Sequence, residues 1–145
     1  MRLSYLLLKL IPADYAYAHC DIPCGIYDPK AAQTAAKTIL KMVQKIKELP
    51  TGGTPEEILQ TRNSFVRMVL VKEEHGRICK NELSILWADY FKEEHLEKFP
   101  DLHTKFWKAL KLVSKNKQAI DEELAQELIK SVDEIADIFH KTQAK

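Results

Sequence analysis

Glycine is scarce in this chain of 145 residues, with 4 in all, and cysteine is scarcer, with 3. So little glycine, beside 46% apolar and 30% charged residues, excludes a collagen-like or disordered chain and fits a soluble, mostly helical protein. Three cysteines, Cys20, Cys24 and Cys79, are too few and too oddly numbered for a small secreted disulfide framework. Charge of one sign is also missing. The chain has 22 basic and 21 acidic residues, and removing residues 1–18 takes away Arg2, Lys9 and Asp14, which leaves 20 of each. A nucleic-acid or anionic-membrane partner is disfavoured by that balance. There is no internal repeat and no low-complexity tail, and the length suits one domain with a single core.

The first eighteen residues differ from the rest. Arg2 leads into an apolar run, Leu3–Ile11, interrupted by Lys9, and the stretch closes on Ala16-Tyr17-Ala18. This is a short leader with a small-x-small cleavage signature, too short to cross a bilayer. The internal lysine weakens a secretory reading, so the cytoplasm is the expected compartment and export the alternative. Retention of Leu3–Ile11 as a first core segment is the competing reading, but Pro12 and Asp14 argue against a continuing helix. Cutting after Ala18 would expose His19, followed directly by Cys20.

The body reads as four amphipathic helices with short links, an all-α, up-down four-helix bundle over residues 28–145. Asp28-Pro29 starts the first helix, expected to reach about Leu49 with Ala32, Ala35, Ile39, Met42, Val43, Ile46 and Leu49 inward. Pro50-Thr51-Gly52-Gly53 breaks the chain, and Thr54-Pro55-Glu56-Glu57 restarts it with a capping box. Ile58, Phe65, Val66, Val69 and Leu70 mark the expected buried side of this long second helix, followed after a possible bend at Gly76 by Ile78, Leu83, Leu86 and Tyr90. A charged connection ends at Pro100. The third helix buries Leu102, Phe106, Leu110 and Val113, and the fourth, from near Asp121, buries Leu124, Leu128, Val132, Ile135 and Phe139. Cys79 reads as a small core residue, and His75, His95, His103 and His140 as surface or interface residues. None forms the paired Glu-x-x-His set of a di-iron bundle.

The chemistry concentrates in an irregular N-terminal hook, residues 19–27. After cleavage His19 offers an imidazole and a free amine, Cys20 a thiolate and a backbone nitrogen, and Cys24 a second thiolate. Pro23 and Gly25 supply the restricted and the permissive position for a chain that must double back around one ion. Two nitrogens and two sulfurs in a plane suit nickel(II) or copper(II), whereas zinc prefers a tetrahedron; a local disulfide or a redox thiol pair is the alternative. The α-amine, with an ordinary pKa of roughly 7.7–8.0, has a usable neutral fraction near neutrality. Anionic sulfur stabilises a higher oxidation state, and an imidazole that binds axially in that state and leaves in the other gives a one-electron switch.

The segment His19-Cys20-Asp21-x-Pro23-Cys24-Gly25-x-Tyr27-Asp28-Pro29 resembles the nickel-hook signature of the nickel superoxide dismutases. A second block, Leu86-Trp87-Ala88-Asp89-Tyr90-Phe91-Lys92 with His95, Lys98 and the stretch from Pro100 to His103, is similar to that family's other recognisable block. The resemblance covers the chain after the leader. It implies one nickel ion per subunit, bound by the His19 amine, the Cys20 backbone nitrogen and the Cys20 and Cys24 thiolates, with the His19 imidazole as axial ligand. It implies superoxide as substrate, nickel cycling between Ni(II) and Ni(III), a homo-oligomer that is a hexamer, and proteolytic activation by a processing peptidase, with a nickel chaperone as a further partner. Tyr27 and Tyr90 match tyrosines lining the substrate entrance, Asp21 a residue that holds the hook, and Lys92 a candidate for local steering.

One departure stands out. The family supports its axial imidazole with a glutamate on the first helix and an arginine on the second, and an ungapped register places Ala35 and His75 there. The alternative function is a non-catalytic metal-binding or metal-sensing bundle using the same ligands; a helical interaction protein with a local disulfide is the third.

Overall fold

The protein is described by a computed structural model that covers residues 25–143. Helix α1 spans Lys30–Lys47, α2 Pro55–Ile85, α3 Glu93–Lys98, α4 Leu102–Gln118 and α5 Glu122–Gln143, and a π-turn, Leu86–Tyr90, continues α2. The described residues contain helices and no strand. Helix α1 packs on α2 and α5, and α4 packs on α2 and α5. That closed ring in chain order is the contact pattern of an up-down four-helix bundle.

The helix starts follow from their capping side chains. Asp28 Oδ1 accepts from Lys30 N at 2.7 Å, and Asp121 Oδ1 accepts from Leu124 N at 3.1 Å. At α2 the reciprocal box is complete: Glu57 N donates to Thr54 Oγ1 at 3.3 Å, and Thr54 N donates to Glu57 Oε2 at 2.7 Å. The core is built from Ile39 and Val43 of α1, Leu83 of α2, Leu102, Phe106 and Val113 of α4, and Leu128, Val132, Ile135 and Phe139 of α5. These side chains recur at helical spacing, and α1, α4 and α5 each bury one stripe.

Two expectations fail. The segment read as a charged connection holds α3, six residues long, which the sequence pattern does not reveal because none of its residues is buried. The first half of α2 is not a core face. Phe65, Val66 and Leu70 are 40%, 53% and 62% exposed, and burial in this helix begins only at Lys72. Spacing identifies an apolar stripe, but not whether the stripe meets the chain's own core or another surface.

Helix α2 runs unbroken through Gly76. A Cβ there would stand 2.7 Å from Lys117 Cγ, so the glycine lets the α4 lysine lie across the helix. Beside it Lys72 is 2% exposed, and its ammonium donates to the Asn116 and Lys117 carbonyls, both at 2.7 Å. These are last-turn carbonyls of α4, where a cation is favoured by the helix dipole. Burial holds the Lys72 pKa below the ordinary lysine value, against the raising effect of Glu73. Lys72→Ala should remove both charge-assisted hydrogen bonds and lower stability by about 2–3 kcal/mol, read as a reduced urea midpoint with an unchanged slope.

Candidate metal centre and its entrance

Gly25 has φ of +70°, the left-handed conformation that glycine tolerates best, where the N-terminal segment joins the bundle. The expected ligands His19, Cys20 and Cys24, and Asp21, lie outside the described residues. Their root does not. Tyr27 packs its ring on Tyr90, centroids 5.5 Å apart at 56°. Two hollows flank it. One, of about 630 Å³, opens between α1 and α2 and is lined by Ile26, Asp28, Ala35, His75 and Glu82. The other, of about 340 Å³, is lined by Gly25, Tyr27, Asp89, Tyr90, Lys92, Glu94 and His95.

The π-turn places Tyr90. Phe91 N donates to Leu86 O at 3.0 Å, an i to i+5 bond that widens the last turn of the helix and swings the following aromatics toward α5. Tyr90 then lies against Phe139, centroids 4.4 Å apart, and edge to face with Phe91 at 5.0 Å. Its hydroxyl is 2.7 Å from Thr142 Oγ1. Thr142 has a single hydroxyl proton, and donates it to Phe139 O at 2.6 Å. Tyr90 must therefore be the donor in the pair, so its proton is directed into α5. The expected entrance residue supplies a ring as wall and an oxygen as acceptor, but no free O–H.

The histidines separate by environment. His75 and Ala35, the two positions of the register departure, line the same hollow. His75 Nδ1 lies 2.9 Å from Val71 O, which can only accept, so Nδ1 carries the hydrogen and Nε2 of the neutral ring is an acceptor. His103 and His140 are exposed. His95, expected at the surface, has a side chain only 13% exposed. Sequence reading placed His95 in the second block but at the surface, and it missed Thr142, whose partner Tyr90 lies 52 residues away.

The model of the nickel-containing superoxide dismutase family matches residues 14–143. The superoxide dismutase [Ni] of Streptomyces coelicolor is 34% identical over 126 residues, 87% of this chain and 88% of that protein. The chain belongs to the nickel-containing superoxide dismutases. A native nickel superoxide dismutase structure superposes with a TM-score of 0.72 at 32% identity, covering 87% of this chain and 100% of that one. Another, whose nickel ligation corresponds to the oxidised state, gives 0.74 at 32% identity over 86% and 98%.

For a nickel superoxide dismutase the donor set must include ionised thiols. Cys79 is unsuitable: it is fully buried, and burial pushes its thiol up to about 12, with a further push from Glu82. Among the described residues no group of three or more His, Cys, Asp or Glu side chains could hold a metal ion. The amine, amide nitrogen, imidazole and two thiols of residues 19–24 do fit nickel chemically. A thiol pKa raised by folding stabilises the fold fully below the unfolded value, near 8.5, and that contribution is lost as pH rises through about 12. Cys79→Ala should therefore show a smaller loss of urea midpoint than the parent between about pH 9 and about pH 11.5.

Proposed function

We propose that this chain, cut after Ala18, works as a superoxide dismutase whose nickel is held by residues 19–24. The observation that carries the reading is the dense hook motif, His19-Cys20-Asp21 through Asp28-Pro29, in a chain of the nickel superoxide dismutase family. His19 would hold the ion through its amine and imidazole, Cys20 through its amide nitrogen and thiolate, and Cys24 through its thiolate. Bound nickel supplies one-electron chemistry, alternating between two oxidation states as one superoxide gives dioxygen and another, with two protons, gives hydrogen peroxide.

The chain's own residues shape access. Tyr27, at the hook's root, orders a small anion and excludes larger ones, while the Tyr90 ring, held from behind by Thr142 and Phe139, is a rigid wall. Asp21 holds the hook's turn. A bare metal-binding or sensing role is not favoured, because the homologous Streptomyces coelicolor protein is a superoxide dismutase.

Removal of residues 1–18 by a peptidase belongs to the same proposal, as do a nickel chaperone and a cytoplasmic location. Support for the cut comes from coverage: 87% of this chain accounts for all of a solved nickel superoxide dismutase chain. A homohexamer is proposed for the exposed apolar stripe of α2, where Leu59, Phe65, Val66 and Leu70 present a surface that monomers rarely leave wet. Val66→Glu with Leu70→Glu should shift the protein to smaller species in analytical ultracentrifugation; unchanged mass would remove the stripe from the interface.

Cys24→Ser should abolish nickel binding and activity together. One additional residue before His19, which leaves every side chain in place, should do nearly the same by replacing the terminal amine with an amide. Full activity with that extension would contradict the hook. Intact mass and metal content of the isolated protein read the new terminus and the ion at once.

A further inference from the structure

His95 is oriented by an unusual cap. Lys92 N donates to His95 Nδ1 at 3.1 Å, so the imidazole takes the place that a glutamine or glutamate side chain takes in a capping box. An acceptor nitrogen carries no hydrogen, and the hydrogen of the neutral ring must therefore sit on Nε2. The ring is held in place from two sides: it stacks on Tyr90, centroids 5.7 Å apart at 18°, and stands edge to face with Phe91 at 5.6 Å, which leaves its side chain 13% exposed. It lines the smaller hollow beside Tyr27.

Beside the Tyr27 phenol, this hollow has few donors. The Lys92 amide is consumed by the cap, and the Tyr90 proton is consumed by Thr142. The Lys92 ammonium remains as a charge on an exposed side chain. Building on the dismutase reading, we propose that the His95 Nε2–H is the fixed hydrogen-bond donor for superoxide in the entrance, with Lys92 as its electrostatic support. Because the donor is neutral, it binds a monoanion without trapping it as a fixed cation would. Glu94 and Asp89 oppose it: the Glu94 Oε1 lies 3.8 Å from Nε2, too far for a hydrogen bond, and both carboxylates are on exposed side chains, so water screens the repulsion.

The test uses nickel-loaded protein and azide as the anion probe. In the parent, the ¹⁵N signals of His95 should report hydrogen on Nε2, and azide should shift that signal. His95→Gln keeps an acceptor for the Lys92 amide and an N–H donor for the anion, whereas His95→Phe keeps the ring and loses both. The glutamine variant should stay near the parent in azide affinity and kcat/KM, and the phenylalanine variant should lose roughly tenfold in each at full nickel content. Glu94→Gln should tighten azide binding. The reverse ranking, with phenylalanine near the parent and glutamine impaired, would make His95 a packing partner of Tyr90 and overturn the proposal, as would hydrogen on Nδ1. If the dismutase reading itself failed, the parent would bind no nickel, an outcome metal analysis separates from any effect at His95.

Discussion

The Tyr90 ring joins three parts of the chain that no local sequence brings together: the root of the hook at Tyr27, the π-turn that ends α2, and the last turns of α5. Its placement depends on a single widened helical turn. An ordinary α-turn would rotate Tyr90 away from Phe139 and Thr142, and Tyr27 would lose the surface on which it rests. The cost of an irregular turn is offset by aromatic packing on both faces and by one part-buried hydroxyl pair. Rigidity at this point matters because the proposed ligands, residues 19–24, join the bundle here.

Much of the scaffold was legible because helix boundaries rest on local rules. The Thr54 and Glu57 box, the Asp28 and Asp121 starts and the core stripes of α1, α4 and α5 were all read from neighbours within four residues. What escaped reading depends on distance. The exposed stripe of α2 has the same spacing as a buried one, and only the absence of a partner helix among the described residues distinguishes them. Lys72 looks like any surface lysine until the end of α4 is set against it, and α3 carries no buried residue whose recurrence could announce it. The hook was the reverse case: its chemistry was plain from residue types and spacing, and its ligands lie outside the described residues.

Ala35 and His75 show how a site can keep its architecture and change its electrostatics. A glutamate and arginine pair would place two full charges in the hollow between α1 and α2; this chain places a methyl group and an imidazole there, with Glu82 on the same wall. The His75 hydrogen is fixed on Nδ1 by the Val71 carbonyl, which leaves a neutral acceptor where the arginine would stand, while Ala35 offers only a methyl group in place of the carboxylate. A carboxylate raises the basicity of an imidazole that donates to it far more than a neutral acceptor does.

That change bears on how the work of the reaction is divided. If the support beneath the hook is neutral, control of charge around the incoming anion passes to the other side of Tyr27, where Lys92, Glu94 and His95 gather. The two hollows are then not equivalent. On the proposed reading, the hollow between α1 and α2 would support the axial ligand, and the other would set what reaches the ion. Tyr27 is the partition between them, and its contact with Tyr90 allows one aromatic pair to serve both sides. A chain with formal neutrality after residue 18 has no global field to attract superoxide, so selectivity must be built within a few ångströms of that partition.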